Sequence, residues 1–148
     1  MAMKRAIRWL LVLAWLYLAV FLSRQSASDS AAVSGWIAQR GASALSFLGI
    51  EVRYAVFHAF IRKFAHFCVH LVLAWLVYRA LDISFTGQKF NIILCIIFCS
   101  IIAIFDESVQ NVAPGRVAQM YDAILNLFGV QCGTILGILT VKQKVGRP

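Results

Sequence analysis

The sequence predicts an all-α membrane protein of four transmembrane helices, with an extracytoplasmic interfacial segment between the first and the second. Three observations carry this. Of the 148 residues, 61% are hydrophobic and only 14% charged, and the mean hydropathy of +0.81 is too high for a soluble domain of this size. The apolar residues fall into four runs, and the chain has room for about four spans of the roughly 20 residues a helix needs to cross about 30 Å of hydrocarbon. The formal charge of +8 gathers at the ends of those runs, where basic residues set topology rather than bind nucleic acid. The chain reads as a single domain over residues 1–148.

The first run is Ile7 to Leu22, IRWLLVLAWLYLAVFL, preceded by Lys4 and Arg5 with Arg8 just inside. A basic start followed by the small-residue stretch SASDSAA also fits a cleaved signal peptide. The length of the run, with Trp9, Trp15 and Tyr17 in it, favours an uncleaved helix; an intact mass separates the two. Residues Ser23 to Gly49 are the most polar part of the chain. Val33, Trp36, Ile37, Ala44 and Leu48 roughly keep helical spacing, which predicts a short helix lying on the bilayer surface. From Glu51 onward Ile50, Tyr54, Phe57, Ile61 and Phe64 lead amphipathically into the second span, Phe64 to Leu81.

The third span, Phe90 to Phe105, has too few residues to cross before it meets Asp106. The helix is therefore expected to continue to about Gln110, with Asp106 and Glu107 inside the boundary. Pro114-Gly115 then predicts a turn. The last span runs from about Met120 to Val141 and carries Gly129, Gly133 and Gly137, a doubled GxxxG that lets another helix approach closely. Cys68, Cys95, Cys99 and Cys132 all lie in apolar runs without CxxC spacing, and read as packing residues rather than disulfide or metal ligands.

Alternation of spans puts the start of the second, the end of the third and the start of the fourth on one side. That side collects Lys63, His66, Asp106, Glu107, Gln110, Arg116, Asp122 and Asn126. The opposite side holds Lys4, Arg5, Arg8, Arg79, Lys89, Lys142, Lys144 and Arg147, against Arg24, Arg40, Arg53, Arg62, Lys63 and Arg116, spread over longer loops, on the cluster side. The positive-inside rule therefore predicts cytoplasmic termini and an external polar cluster. Glu107 and Gln110, three apart, share a helix face with Asp106 flanking it, and Asp122 and Asn126 stand above the glycine face. On the second span His58, Arg62, His66 and His70 follow at steps of four. His66 and His70 have the spacing of a metal pair but no firm third ligand, so neither a metal nor a cofactor is expected.

Two uses of this cluster stay open. Arg62, Lys63 and Arg116 can pair with Asp106, Glu107 and Asp122 simply to lock the bundle. Alternatively the groups form a functional pocket, as intramembrane ionisable residues generally do. In that reading Glu107 is the general acid or base, His66 its partner and Asp122 an orienting group. Arg116 at a helix start would bind an anion, with Lys63, Asp106, Gln110 and Asn126 as further binding residues.

The pattern Asp106-Glu107-Ser108-Val109-Gln110, then Pro114-Gly115-Arg116, then Asp122 through Asn126 to Gly129, resembles the VanZ-like family of bacterial membrane proteins. Upstream, Lys63-Phe64-Ala65-His66-Phe67 is similar to that family's Lys-x-x-His-Phe element. The similarity covers about residues 60 to 137. One departure is His70, where the family usually carries an aromatic, often tyrosine. The family's namesake is associated with low-level resistance to the glycopeptide teicoplanin. The resemblance thus implies a bacterial inner-membrane protein with an envelope role. It implies a membrane lipid or lipid-linked envelope precursor as partner, and assigns no reaction.

Overall fold

The computed structural model describes residues 1–110 and 119–141. All regular structure among them is helical: α1 (Ala2–Ser23), α2 (Ala27–Phe47), α3 (Tyr54–Ser84), α4 (Gln88–Gln110) and α5 (Met120–Thr140). Four of these, α1, α3, α4 and α5, are long and apolar enough to cross a membrane. The expected continuation of the third span is present, since α4 runs unbroken through Asp106 and Glu107 to Gln110.

The side chains are distributed as lipid demands. Leu10, Ile93, Ile97, Ile101, Ile135 and Leu139 face outward, whereas His70, Asp106, Glu107, Gln110, Asp122 and Asn126 are buried. Water would invert that arrangement; a hydrocarbon surround stabilises it, because polar groups must then find partners inside the bundle.

The centre of the bundle is α3, which packs against each of the other four helices. Its contact with α5 is the most extensive, and the glycine face is the reason. A Cβ at Gly129 would sit 2.6 Å from the Phe67 carbonyl oxygen, one at Gly133 would overlap the Leu71 carbonyl, and one at Gly137 would sit 2.8 Å from Tyr78. The two helices are parallel, and only a missing side chain lets their backbones come so close. The sequence expectation of a close helix neighbour is met, and the neighbour is α3.

Helix α1 runs antiparallel to α3. Arg8 donates to the Arg79 carbonyl at 2.5 Å, and the Trp9 and Trp15 indoles donate to Ser84 Oγ at 3.1 Å and the Val69 carbonyl at 2.9 Å. Arg5 reaches the Ile83 carbonyl, so two guanidiniums sit at the negative end of α3. Leu73, Ala74, Val77, Tyr78, Cys95, Cys99, Ala103 and Val130 fill the core between α3, α4 and α5. Cys95 and Cys99 pack there as small free thiols. The Cys95 thiol lies 3.4 Å from the Ala74 carbonyl.

The polar segment after α1 forms α2. Ser26 caps its start, accepting from the Asp29 amide at 3.1 Å and donating to the Asp29 carboxylate at 2.6 Å. Its end is a Schellman turn: Gly49 has φ +77°, its amide bonds the Ser46 carbonyl, and the Ile50 amide bonds the Leu45 carbonyl. Helix α3 has 31 residues and so spans about 46 Å, longer than the hydrocarbon layer. Its N-terminal turns are where α2 rests. Ser34 Oγ meets His58 Nε2 at 2.7 Å, and the Tyr54 hydroxyl reaches the Gly35 carbonyl.

Candidate functional site

With α4 antiparallel to α3 and α5 parallel to it, the end of α1, the middle of α3, the end of α4 and the start of α5 meet at one level. Asp106 is the hub. Its Oδ1 accepts from Ser23 Oγ, and its Oδ2 accepts from Gln110 Nε2 at 2.8 Å and faces His70 Nε2 at 3.5 Å. Gln110 in turn approaches His66 Nδ1 at 3.5 Å. Side chains from α1 and α3 thus converge on one carboxylate near the end of α4, joined by Gln110 of α4 itself. Each contact follows from helix geometry: Asp106 and Gln110 are one turn apart, and Ser23 ends α1 where α4 passes.

Glu107, on the neighbouring face of α4, accepts the Gln119 amide at 2.6 Å. Gln119 is the N-cap of α5, so the carboxylate lies at the positive end of that helix. Asp122, in the first turn of α5, pairs with Lys63 Nζ at 2.6 Å. This is one of the ion pairs anticipated for a locked bundle. Asn126 stands one turn further along, fully buried. Neither its Oδ1 nor its Nδ2 has a hydrogen-bond partner among the described residues, and the same holds for His70 Nδ1. A buried amide left without partners costs about 1–3 kcal/mol, so these atoms face something polar or carry a cost that bundle packing alone does not explain.

A cavity of about 120 Å³, room for several water-sized groups, opens beside the hub between α1, α2 and α3. His66 and Asp106 are in its wall, as are Ser23 and Arg62. Glu107, Gln110, Asp122 and Asn126 lie outside that wall, on the α4–α5 side of the hub. The residues singled out in the sequence therefore divide into two connected groups. Arg116, with Pro114-Gly115, lies outside the described residues.

Two participants were not singled out. Ser23 is the last residue of α1, and nothing in its own neighbourhood announces a partner on α4. His70 carried a signal, its step of four from His66, but its departure from the family's aromatic assigned it no role. It is fully buried against Asp106.

The VanZ/LLP1 family model matches residues 8–141, nearly the whole chain. The chain belongs to the VanZ/LLP1 family. No curated protein and no solved structure matches it. As a VanZ/LLP1 protein it carries the family resemblance beyond the quoted motifs, because the match begins in α1 and ends at the last residue of the described chain. Ser23, α2 and the cavity wall all fall within that match.

Proposed function

We propose that this VanZ/LLP1 protein uses the polar cluster on an anionic, lipid-linked envelope molecule at the outer leaflet of the bacterial inner membrane. The observation that carries the reading is the buried Asn126 amide, neither end of which has a partner among the described residues, together with the unpartnered Nδ1 of His70, beside side chains that are bonded. A cluster serving only to hold helices together would satisfy its own members. In this reading Glu107 transfers a proton, His66 is its partner, Asp122 orients and Arg116 neutralises the ligand's charge. Lys63, Asp106, Gln110 and Asn126 complete the binding set. The link to teicoplanin tolerance comes from the family resemblance.

The test is Glu107→Gln, which keeps shape and most hydrogen bonding. Tolerance conferred on a sensitive bacterial host is expected to disappear while the protein's membrane level stays normal. Full tolerance at normal abundance would end the acid–base reading. The scaffold reading would then take its place, supported by the Lys63–Asp122 pair and the bonds Asp106 makes.

The orientation, termini in the cytoplasm, rests on the Lys and Arg distribution. The exposed stripe of Val33, Trp36 and Ile37, with Arg40 stacked 5.1 Å over the Trp36 ring, suits α2 to the outer interface. A cysteine introduced by Glu51→Cys, in the link between α2 and α3, is expected to react with an impermeant maleimide added outside intact cells. Reaction only after the cells are opened would invert the topology.

A further inference from the structure

Lys63 and Arg62 are adjacent cations with different fates. Lys63 is neutralised by Asp122. Arg62, half-buried in the wall of the cavity, makes no ion pair or side-chain hydrogen bond with any described residue. Gln25, across the same cavity at the end of α1, likewise has no side-chain partner among the described residues. The carboxylate in that wall, Asp106, is already engaged by Ser23, Gln110 and His70. The cavity therefore offers an unpaired guanidinium and the Gln25 amide, while its one carboxylate is already engaged.

Apart from His66 and the serines Ser23, Ser30 and Ser34, the rest of the wall is apolar. Val33 and Ile37 come from α2, and Ile61 and Val69 from α3. Donors beside a hydrocarbon-lined groove, at the level where α1 ends, match a molecule with an anionic head and an apolar tail. A guanidinium binds phosphate oxygens by charge-assisted hydrogen bonds, and the aliphatic walls take a chain as readily as they would lipid.

We propose that the cavity between α1, α2 and α3 holds one anionic phospholipid, its phosphate on Arg62 and Gln25 and an acyl chain against Val33, Ile37, Ile61 and Val69. The headgroup then lies beside His66 and Asp106. That the bound lipid serves the polar cluster rests on the envelope-ligand reading above; that it binds rests on the cavity alone.

The full-length protein, reconstituted in phosphatidylcholine nanodiscs doped with phosphatidylglycerol and released for native mass spectrometry, should retain a phosphatidylglycerol molecule. Arg62→Ala should lower that retention about tenfold, the equivalent of one charge-assisted bond, and Arg62→Lys should keep most of it. Arg24→Ala, outside the cavity wall, should change nothing. Ile37→Trp fills the cavity from α2 and leaves every α3 residue, Arg62 included, unchanged. It should also expel the lipid, and serves if Arg62→Ala does not fold. Equal retention by Arg62→Ala or Ile37→Trp and the unaltered protein overturns the proposal. So does displacement of the lipid by free inorganic phosphate, which would make this a phosphate site with no use for a tail. Glu107→Gln should keep the lipid. If that variant also keeps full tolerance, the acid–base reading falls and the lipid site stands; if Arg62→Ala keeps its lipid while Glu107→Gln abolishes tolerance, the lipid site alone falls.

Discussion

Asp106→Ala is expected to cost the fold about 3–5 kcal/mol, the range seen when one member of a buried charged network is removed. The change removes an acceptor from Ser23 and Gln110 and leaves His70 with no partner on either ring nitrogen. Ser23 keeps the Ala19 carbonyl, but His70 and Gln110 are buried outside the cavity wall, and each loses a bond there. The loss should appear as a lower unfolding midpoint in detergent and a reduced membrane level. Asp106→Asn, which keeps an acceptor oxygen but places an amide against another donor, should lose less. An alanine variant within about 0.5 kcal/mol of the parent, the range of an ordinary surface change, would show that Asp106 is not the hub.

Gly133→Leu should do comparable damage by a different route. The obstacle at Gly133 is the Leu71 carbonyl, part of the α3 backbone, and a helix backbone cannot rotate out of the way as a side chain can. Overpacking usually costs about 1–3 kcal/mol; here the cost should lie at or above the top of that range, because α3 and α5 must separate along their whole contact. At Gly137 the obstruction is the Tyr78 side chain, so Gly137→Ala should be milder than Gly133→Ala. Thermal unfolding of the two alanine variants in the same detergent compares them directly. Equal midpoints would mean that the α3–α5 approach does not limit stability.

The helices were largely legible because length and hydropathy constrain a membrane chain so strongly. A span ending at Phe105 would be too short to cross, and α4 does run on to Gln110. The glycine spacing identified a close contact, although spacing alone does not name the partner. The histidine stripe was harder to read. At 3.6 residues per turn a step of four overshoots by about 40°, so His58, Arg62, His66 and His70 do not share a face but wind around α3. His58 consequently meets Ser34 on α2, Arg62 and His66 line the cavity, and His70 turns into the core against Asp106. The same drift explains the exchange of roles on α4. Glu107 and Gln110 were grouped by their spacing with Asp106 to one side, yet Asp106 and Gln110 are the pair that bond, and Glu107 turns to the start of α5. Partners from distant helices, such as Ser23, depend on tertiary packing that no local pattern records.

The hub also bears on how such a chain is made. The ribosome delivers α1 and α3 before α4, so Ser23 and His70 are already in the translocon's vicinity when Asp106 emerges, and Gln110 arrives on the same helix. Asp122 likewise comes after Lys63, its partner, rather than before it. A carboxylate entering hydrocarbon alone costs a few kcal/mol on insertion scales. Asp106 and Asp122 both come later in the chain than the hydroxyl, imidazole or cation they bond on other helices, whereas Glu107 meets the Gln119 amide only when α5 follows. For the first two acids chain order thereby acts as a built-in chaperone: each is offered its partner at the moment of integration, and the bilayer need not hold it unpaired.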